Sequence, residues 1–157
     1  MTKAKVYFSD MRTRYGGLSL PQKLGKLIEA AGIGDIDFQN KFAAIKIHFG
    51  EPGNLSFLRP NYAKVVVDTV AAQGGRPFLT DCNTLYVGRR KHALEHITTA
   101  YENGFSPFST GCHIIIADGL KGTDEALCNC AGRRIGARGE NRQSIDGCGY
   151  RDFPEPF

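Results

Sequence analysis

The sequence predicts an α/β fold, a three-layer sandwich with a mostly parallel and incomplete sheet, and three observations carry that reading. Short apolar runs alternate with amphipathic stretches in a β-α-β-α-β-α-β order, as parallel strands joined by right-handed helical crossovers require. The apolar runs also end alike. Val6-Tyr7-Phe8-Ser9-Asp10, Ile45-Lys46-Ile47-His48-Phe49-Gly50-Glu51, Phe78-Leu79-Thr80-Asp81-Cys82-Asn83 and Ile114-Ile115-Ile116-Ala117-Asp118-Gly119 each deliver an acid into the loop that follows. Finally, 157 residues with 41% hydrophobic and 23% charged side chains suit one globular core.

The first strand is expected over about residues 4–8, followed by a loop whose Gly16-Gly17 permits sharp turns. Ser19 ahead of Leu20-Pro21 signals a helix N-cap with proline in the first turn, and Leu20, Leu24, Leu27, Ile28 and Ala31 recur at helical spacing until Gly32. A second strand over about 42–49 places Ile45, Ile47 and Phe49 on one face and Lys46 and His48 on the other. Pro60 opens a helix through about residue 72 with Tyr62, Val65, Val66, Thr69 and Val70 on its buried side, and Gly74-Gly75 stops it.

A short strand over 77–80 leads to a helix over about 89–103, striped by Ala93, Leu94, Ile97, Ala100 and Tyr101 and ended by Gly104. The last strand, 113–117, is nearly all apolar, as strands covered on both faces tend to be. Residues 1–125 thus form the expected α/β domain. Residues 126–157 read as an irregular Cys/Gly/Arg-rich tail, with too little apolar surface to offset chain entropy.

Charge and composition exclude several function classes. The formal net charge is +4, but Lys and Arg are spread along the chain. The local cluster Arg89-Arg90-Lys91 reads as a solvated helix start, so no nucleic-acid partner is expected. No apolar run approaches the roughly 20 residues that span a bilayer, and Met1-Thr2-Lys3-Ala4-Lys5 lacks a secretory pattern, which together point to the cytoplasm and no membrane partner. Five cysteines without such a pattern argue weakly for disulfides.

In open α/β sheets ligands bind outside the carboxyl ends of parallel strands. On that geometry Asp10, Lys46, His48, Glu51, Asp81, Asn83 and Asp118 share one crevice. The alternative is that Asp and Gly end strands because they make turns and caps. Lys46 and His48, on one strand face beside the Gly50–Gly53 loop, are candidates for anion binding and proton transfer.

His92, Glu95 and His96 form H-x-x-E-H, a spacing that also occurs in zinc proteases, but a zinc site needs a further ligand from another element, so no metal ligand is assigned. Cys82 follows a strand end and reads as a small buried residue. Cys128-x-Cys130 with Cys148 lacks the spacing of a four-iron cluster motif. Walker, dinucleotide-glycine and G-x-S-x-G motifs are absent.

Taken in order, Lys46-Ile47-His48-Phe49-Gly50-Glu51-Pro52-Gly53-Asn54, Arg59-Pro60, Leu79-Thr80-Asp81-Cys82-Asn83-Thr84-Leu85-Tyr86 and Ile116-Ala117-Asp118-Gly119-Leu120 resemble domain of unknown function 362, over about residues 3–125. The resemblance implies an α/β domain from a family often described as iron–sulfur centre proteins. Many members carry a ferredoxin-like module with paired cysteine motifs, which this sequence lacks. An iron–sulfur cluster is therefore an expectation for longer relatives, and a divalent cation is conceivable here.

The positions carried over by motif are His48, Lys46 and Asp81 in catalytic roles, and Glu51, Asn83, Tyr86, His96 and Asp118 in ligand binding. The break in pattern near residue 126 suggests a frameshifted or truncated reading frame. The expected function is binding of a small anionic or carboxylate ligand at the strand ends. The alternative is a docking or scaffold part of a ferredoxin-linked redox protein whose cluster region is missing.

Overall fold

The computed structural model describes residues 3–128 and 139–142. Its centre is a sheet of three parallel strands in the order β1-β2-β3: β1 (Phe42–Lys46), β2 (Arg76–Asp81) and β3 (Ile114–Ile116). Helix α1 (Leu20–Ala30) precedes β1, and α2 (Pro60–Ala72) connects β1 to β2. Helix α3 (Ala93–Glu102) and the single turn α4 (Pro107–Thr110) connect β2 to β3.

The expected α/β class is thus present, and local chemistry explains most boundaries. At α1, Ser19 and Gln22 form a reciprocal capping box with proline in the first turn. Helix α2 begins at Pro60 and ends at Ala72, the bounds its proline and Gly74-Gly75 predict. Its fully buried residues are Ala63, Val67 and Val70. Of the stripe expected from sequence only Val70 is fully buried, because Tyr62, Val65, Val66 and Thr69 lie half-buried on the helix flanks. Helix α1 packs on α2 as well, so α2 buries surface toward two neighbours and a single stripe cannot describe it.

The register aligns Ile45 with Leu79 and Leu79 with Ile114, which sets these side chains in one row on one sheet face. That face meets α2 and α3 in a core containing Phe49, Ala63, Val67, Leu79, Ala100, Phe105 and Ile116. Phe105 packs edge-on to Phe49 at a centroid distance of 5.3 Å and against Phe57 at 6.0 Å. The opposite face carries Phe42, Ala44 and Ile115 exposed to solvent. Among the described residues the helices therefore cover one face, where a three-layer sandwich and a doubly covered last strand were expected.

Three other expectations change. Residues 4–8 form no strand, and Val6 and Phe8 are exposed. Their alternation suits a strand, but a strand exists only where a neighbour takes its N–H and C=O groups. Helix α3 starts at Ala93 rather than near Arg89, and residues 82–92 form a looped segment. Leu94 and Tyr101 are consequently exposed, whereas His96, Thr99 and Ala100 face inward.

Finally, β4 (Glu125–Cys128) pairs antiparallel with β5 (Gly139–Arg142), within a stretch expected to be irregular. Backbone pairing of this kind needs no apolar alternation. Cys130 and Cys148 lie outside the described residues, as does most of the expected tail.

Phe105→Ala removes a fully buried ring at the junction of three aromatic groups and is expected to lower stability by about 3–5 kcal/mol. A urea titration showing a loss below about 1 kcal/mol would mean that this cluster is not the core.

Candidate functional site

The carboxyl ends of the three parallel strands lie on one edge, and each contributes side chains there. Strand β1 supplies Lys46 and runs on through His48 to Glu51. Strand β2 ends at Asp81 and leads to Asn83, and β3 leads to Asp118. This is the convergence expected from sequence, with one exception. Asp10 is held by Lys23 of α1 at 2.5 Å, and that hydrogen bond lowers its carboxyl pKa.

Asp81 is the hub. Its carboxylate is buried and accepts from the Cys82 backbone N–H at 2.9 Å. Lys46 Nζ lies 3.1 Å from Oδ1, and Arg90 reaches Oδ2 at 3.5 Å. His96 Nε2 stands 3.8 Å from the same Oδ2, beyond hydrogen-bond reach. Ionisable groups from β1, the loop after β2 and α3 thus focus on the one carboxylate that ends β2.

Arg90 is the residue that sequence reasoning missed. It was assigned to a solvated basic run, yet its side chain is only 4% exposed. The fold separates it from Arg89, which faces outward in a two-pronged pair with Glu102. Thr84 N–H donates to the Arg90 carbonyl at 2.9 Å, which closes the loop and turns the Arg90 side chain inward. The guanidinium there donates to Glu51 and, at 2.7 Å, to the Tyr86 hydroxyl. Tyr86 donates in turn to Glu51. The hydrogen bond from Arg90 holds the Glu51 carboxyl below its usual pKa, and the carboxylate raises that of the Tyr86 phenol. Burial is the largest single influence and disfavours the Arg90 charge, but the hydrogen bond and charge of Glu51 together with Tyr86 outweigh it, and its pKa rises.

The signal that would have found Arg90 is charge balance. Asp81 ends the central strand, where burial demands cationic partners, and the basic run that follows it in sequence can supply one.

Asn83 and Asp118 interlock the second and third strand ends. Asn83 N–H donates to the Asp118 carboxylate at 2.9 and 3.0 Å, and its side-chain amide donates to Asp118 Oδ1 at 3.0 Å and to the Gly119 carbonyl at 2.9 Å. His48 is exposed, and its Nδ1 accepts from Gly50 N–H at 3.0 Å, so a neutral ring carries its proton on Nε2. Gly50 has φ +87°, and a Cβ there would fall 2.6 Å from Asn103 Nδ2 and 2.7 Å from the Phe57 ring, which leaves room only for glycine.

The histidine pair separates. His92 caps α3 from outside the helix and pairs with Glu95 at 3.2 Å, whereas His96 is fully buried one turn inside, edge-on to Phe49. They do not present a shared metal-binding face, and no group of three or more His, Cys, Asp or Glu side chains suited to a metal occurs among the described residues. Cys82 is half-buried rather than enclosed. Cys112 is buried, and burial raises its thiol pKa.

With this geometry established, comparison with known proteins places the chain. The family described as Domain of unknown function (DUF362) matches residues 43–138, more than half of the sequence. The chain belongs to this family. The match contains the Lys46, Glu51, Asp81, Arg90, His96 and Asp118 positions of the edge. No curated protein and no solved structure matches the chain. No described helix of this family member is long and apolar enough to cross a membrane.

Burial pushes the His96 pKa down to about 4, so the folded protein holds this ring neutral near pH 7. Between about 4 and the unperturbed 6.5 the unfolded chain binds a proton that the native ring refuses, so stability falls as pH drops through that window. The loss amounts to roughly 3 kcal/mol at most. In chemical denaturation at a series of pH values, His96→Gln is expected to lack this part of the slope. Identical profiles for the two proteins would show that His96 is not the group responsible.

Proposed function

We propose that this strand-end edge binds a small anionic or carboxylate-bearing ligand. The observation that carries the reading is the convergence of Lys46, Arg90 and His96 on Asp81 at the carboxyl ends of parallel strands. Lys46 is about half exposed and supplies charge at the mouth, whereas Arg90 lies beneath it in a drier setting where each charge-assisted bond counts for more. Asp81 orients the cations, and Asn83 with Asp118 fixes the two strand ends on which the ligand rests.

His48, exposed beside the loop after β1, is placed to exchange a proton with a bound acid. His96 stays neutral and supplies the inner wall, and Tyr86 with Glu51 forms the outer one. A divalent cation held by Glu51 and Asp81 is less well supported, because both carboxylates already pair with Arg90.

A second reading, a docking part of a redox protein with an iron–sulfur module, is favoured by one observation. Phe42 and Ile115 stand exposed on the sheet face opposite α2 and α3, which suits contact with further protein.

Calorimetric titration with malonate and with inorganic phosphate tests the first reading. Lys46→Ala is expected to weaken binding about tenfold, the size of one lost charge-assisted bond. His48→Ala is expected to retain binding and lose any turnover. Equal affinities of parent and Lys46→Ala would remove Lys46 from the site, and a parent protein that binds neither anion would overturn the reading.

A further inference from the structure

We propose that Arg90 is the docking group for a ligand carboxylate and that Glu51 occupies its place in the ligand-free protein as an internal latch. This deepens the anion-binding reading above and rests on it. Arg90 is nearly enclosed, but its outward partner is a carboxylate borne on a solvent-facing turn, with Glu51 about one-third exposed. A guanidinium that grips an exposed carboxylate of its own chain can grip one from solution in the same geometry. Its Nε is buried without a hydrogen-bond partner, so the Glu51 contact leaves donor capacity unused.

The turn that carries Glu51 is built to move as a unit. Its inner end is pinned, because Asn103 Nδ2 donates to the Phe49 carbonyl at 2.9 Å and Gly50 is wedged against Asn103 and Phe57. Its outer end is free of packing: Gly53 has φ +77° with nothing near the position of a Cβ, and Pro52, Gly53 and Asn54 are exposed. The turn is closed by Asn54 N–H on the Glu51 carbonyl at 3.1 Å, so Glu51 can swing out without breaking a strand or a core contact. Arg90 would stay in place, since Tyr86, Asp81 and the Thr84 backbone hold it from other sides.

The ligand class follows from the occupant. A group that replaces Glu51 between Arg90 and Tyr86 is a carboxylate that accepts from both, and a small acid with a second anionic group can reach Lys46 as well.

Glu51→Gln keeps the shape of the latch and removes its charge. Malonate is expected to bind this variant about tenfold more tightly than the parent by calorimetry, with phosphate gaining less. In amide NMR spectra, malonate added to the parent is expected to shift the Glu51, Gly53 and Asn54 resonances toward their positions in the unliganded variant. Should Glu51→Gln fail to fold, Glu51→Asp, which keeps the charge but shortens the reach, is expected to show the same direction of change. Equal or weaker malonate binding in the variant with binding intact in the parent overturns the latch and leaves the anion-binding reading standing. A larger gain for phosphate than for malonate overturns the carboxylate assignment. Absence of binding in both proteins overturns the latch together with the reading beneath it.

Discussion

The burial of the Asp81 carboxylate at the end of the central strand is the constraint on which the rest of the edge depends. A carboxylate removed from water stays ionised only if cations and N–H donors replace its hydration. Here the replacements come from different parts of the chain: Lys46 from the neighbouring strand, Arg90 from the loop nine residues on, and the Cys82 backbone. Lys46 and Arg90 thereby tie the neighbouring strand and the following loop to the end of the central strand. Arg90 in turn draws in Tyr86 and Glu51, so the loops after β1 and β2 are joined through one guanidinium. The Asn83–Asp118 interlock does the same between β2 and β3.

His96 shows how closely that balance is drawn. It sits near enough to Asp81 for the carboxylate to favour its charged form, yet burial prevails and Arg90 adds repulsion. The ring therefore contributes shape, edge-on to Phe49, rather than charge. Protonating it would place a further cation beside Arg90 in a buried setting where screening is weak.

The parts of the fold legible in the sequence are those set by local chemistry. Ser19, Pro21 and Gln22 specify the start of α1, and Pro60 and Gly74-Gly75 bracket α2, because caps and breakers act within a few residues. The acids that follow β1, β2 and β3 were legible as one edge because parallel strands end on the same side, but that they are neighbours depends on the order β1-β2-β3, which the sequence left open. What sequence periodicity could not show was partnership. Residues 4–8 alternate like a strand but have no ladder to join, and residues 89–92 continue a charged pattern that the fold breaks into a loop. Arg90 was hidden for the same reason: in Arg89-Arg90-Lys91 nothing local distinguishes the arginine that turns inward from the one that meets Glu102.

The proposed site and the fold share the same bonds, and this limits where change on ligand binding could occur. Taking a partner from Asp81 or Asp118 would strand a buried charge, a cost of several kcal/mol that no small ligand readily offsets. The Glu51 pair differs, because its acid stands at the solvent margin and is rehydrated when it leaves. On the proposed latch, a ligand that brings its own carboxylate would exchange one ion pair for another while the buried hub stays intact. The edge thus divides by depth: Asp81, Asn83 and Asp118 are buried and tie the strand ends, whereas Tyr86 and the turn after Glu51 are exposed, which is where the proposed exchange would take place.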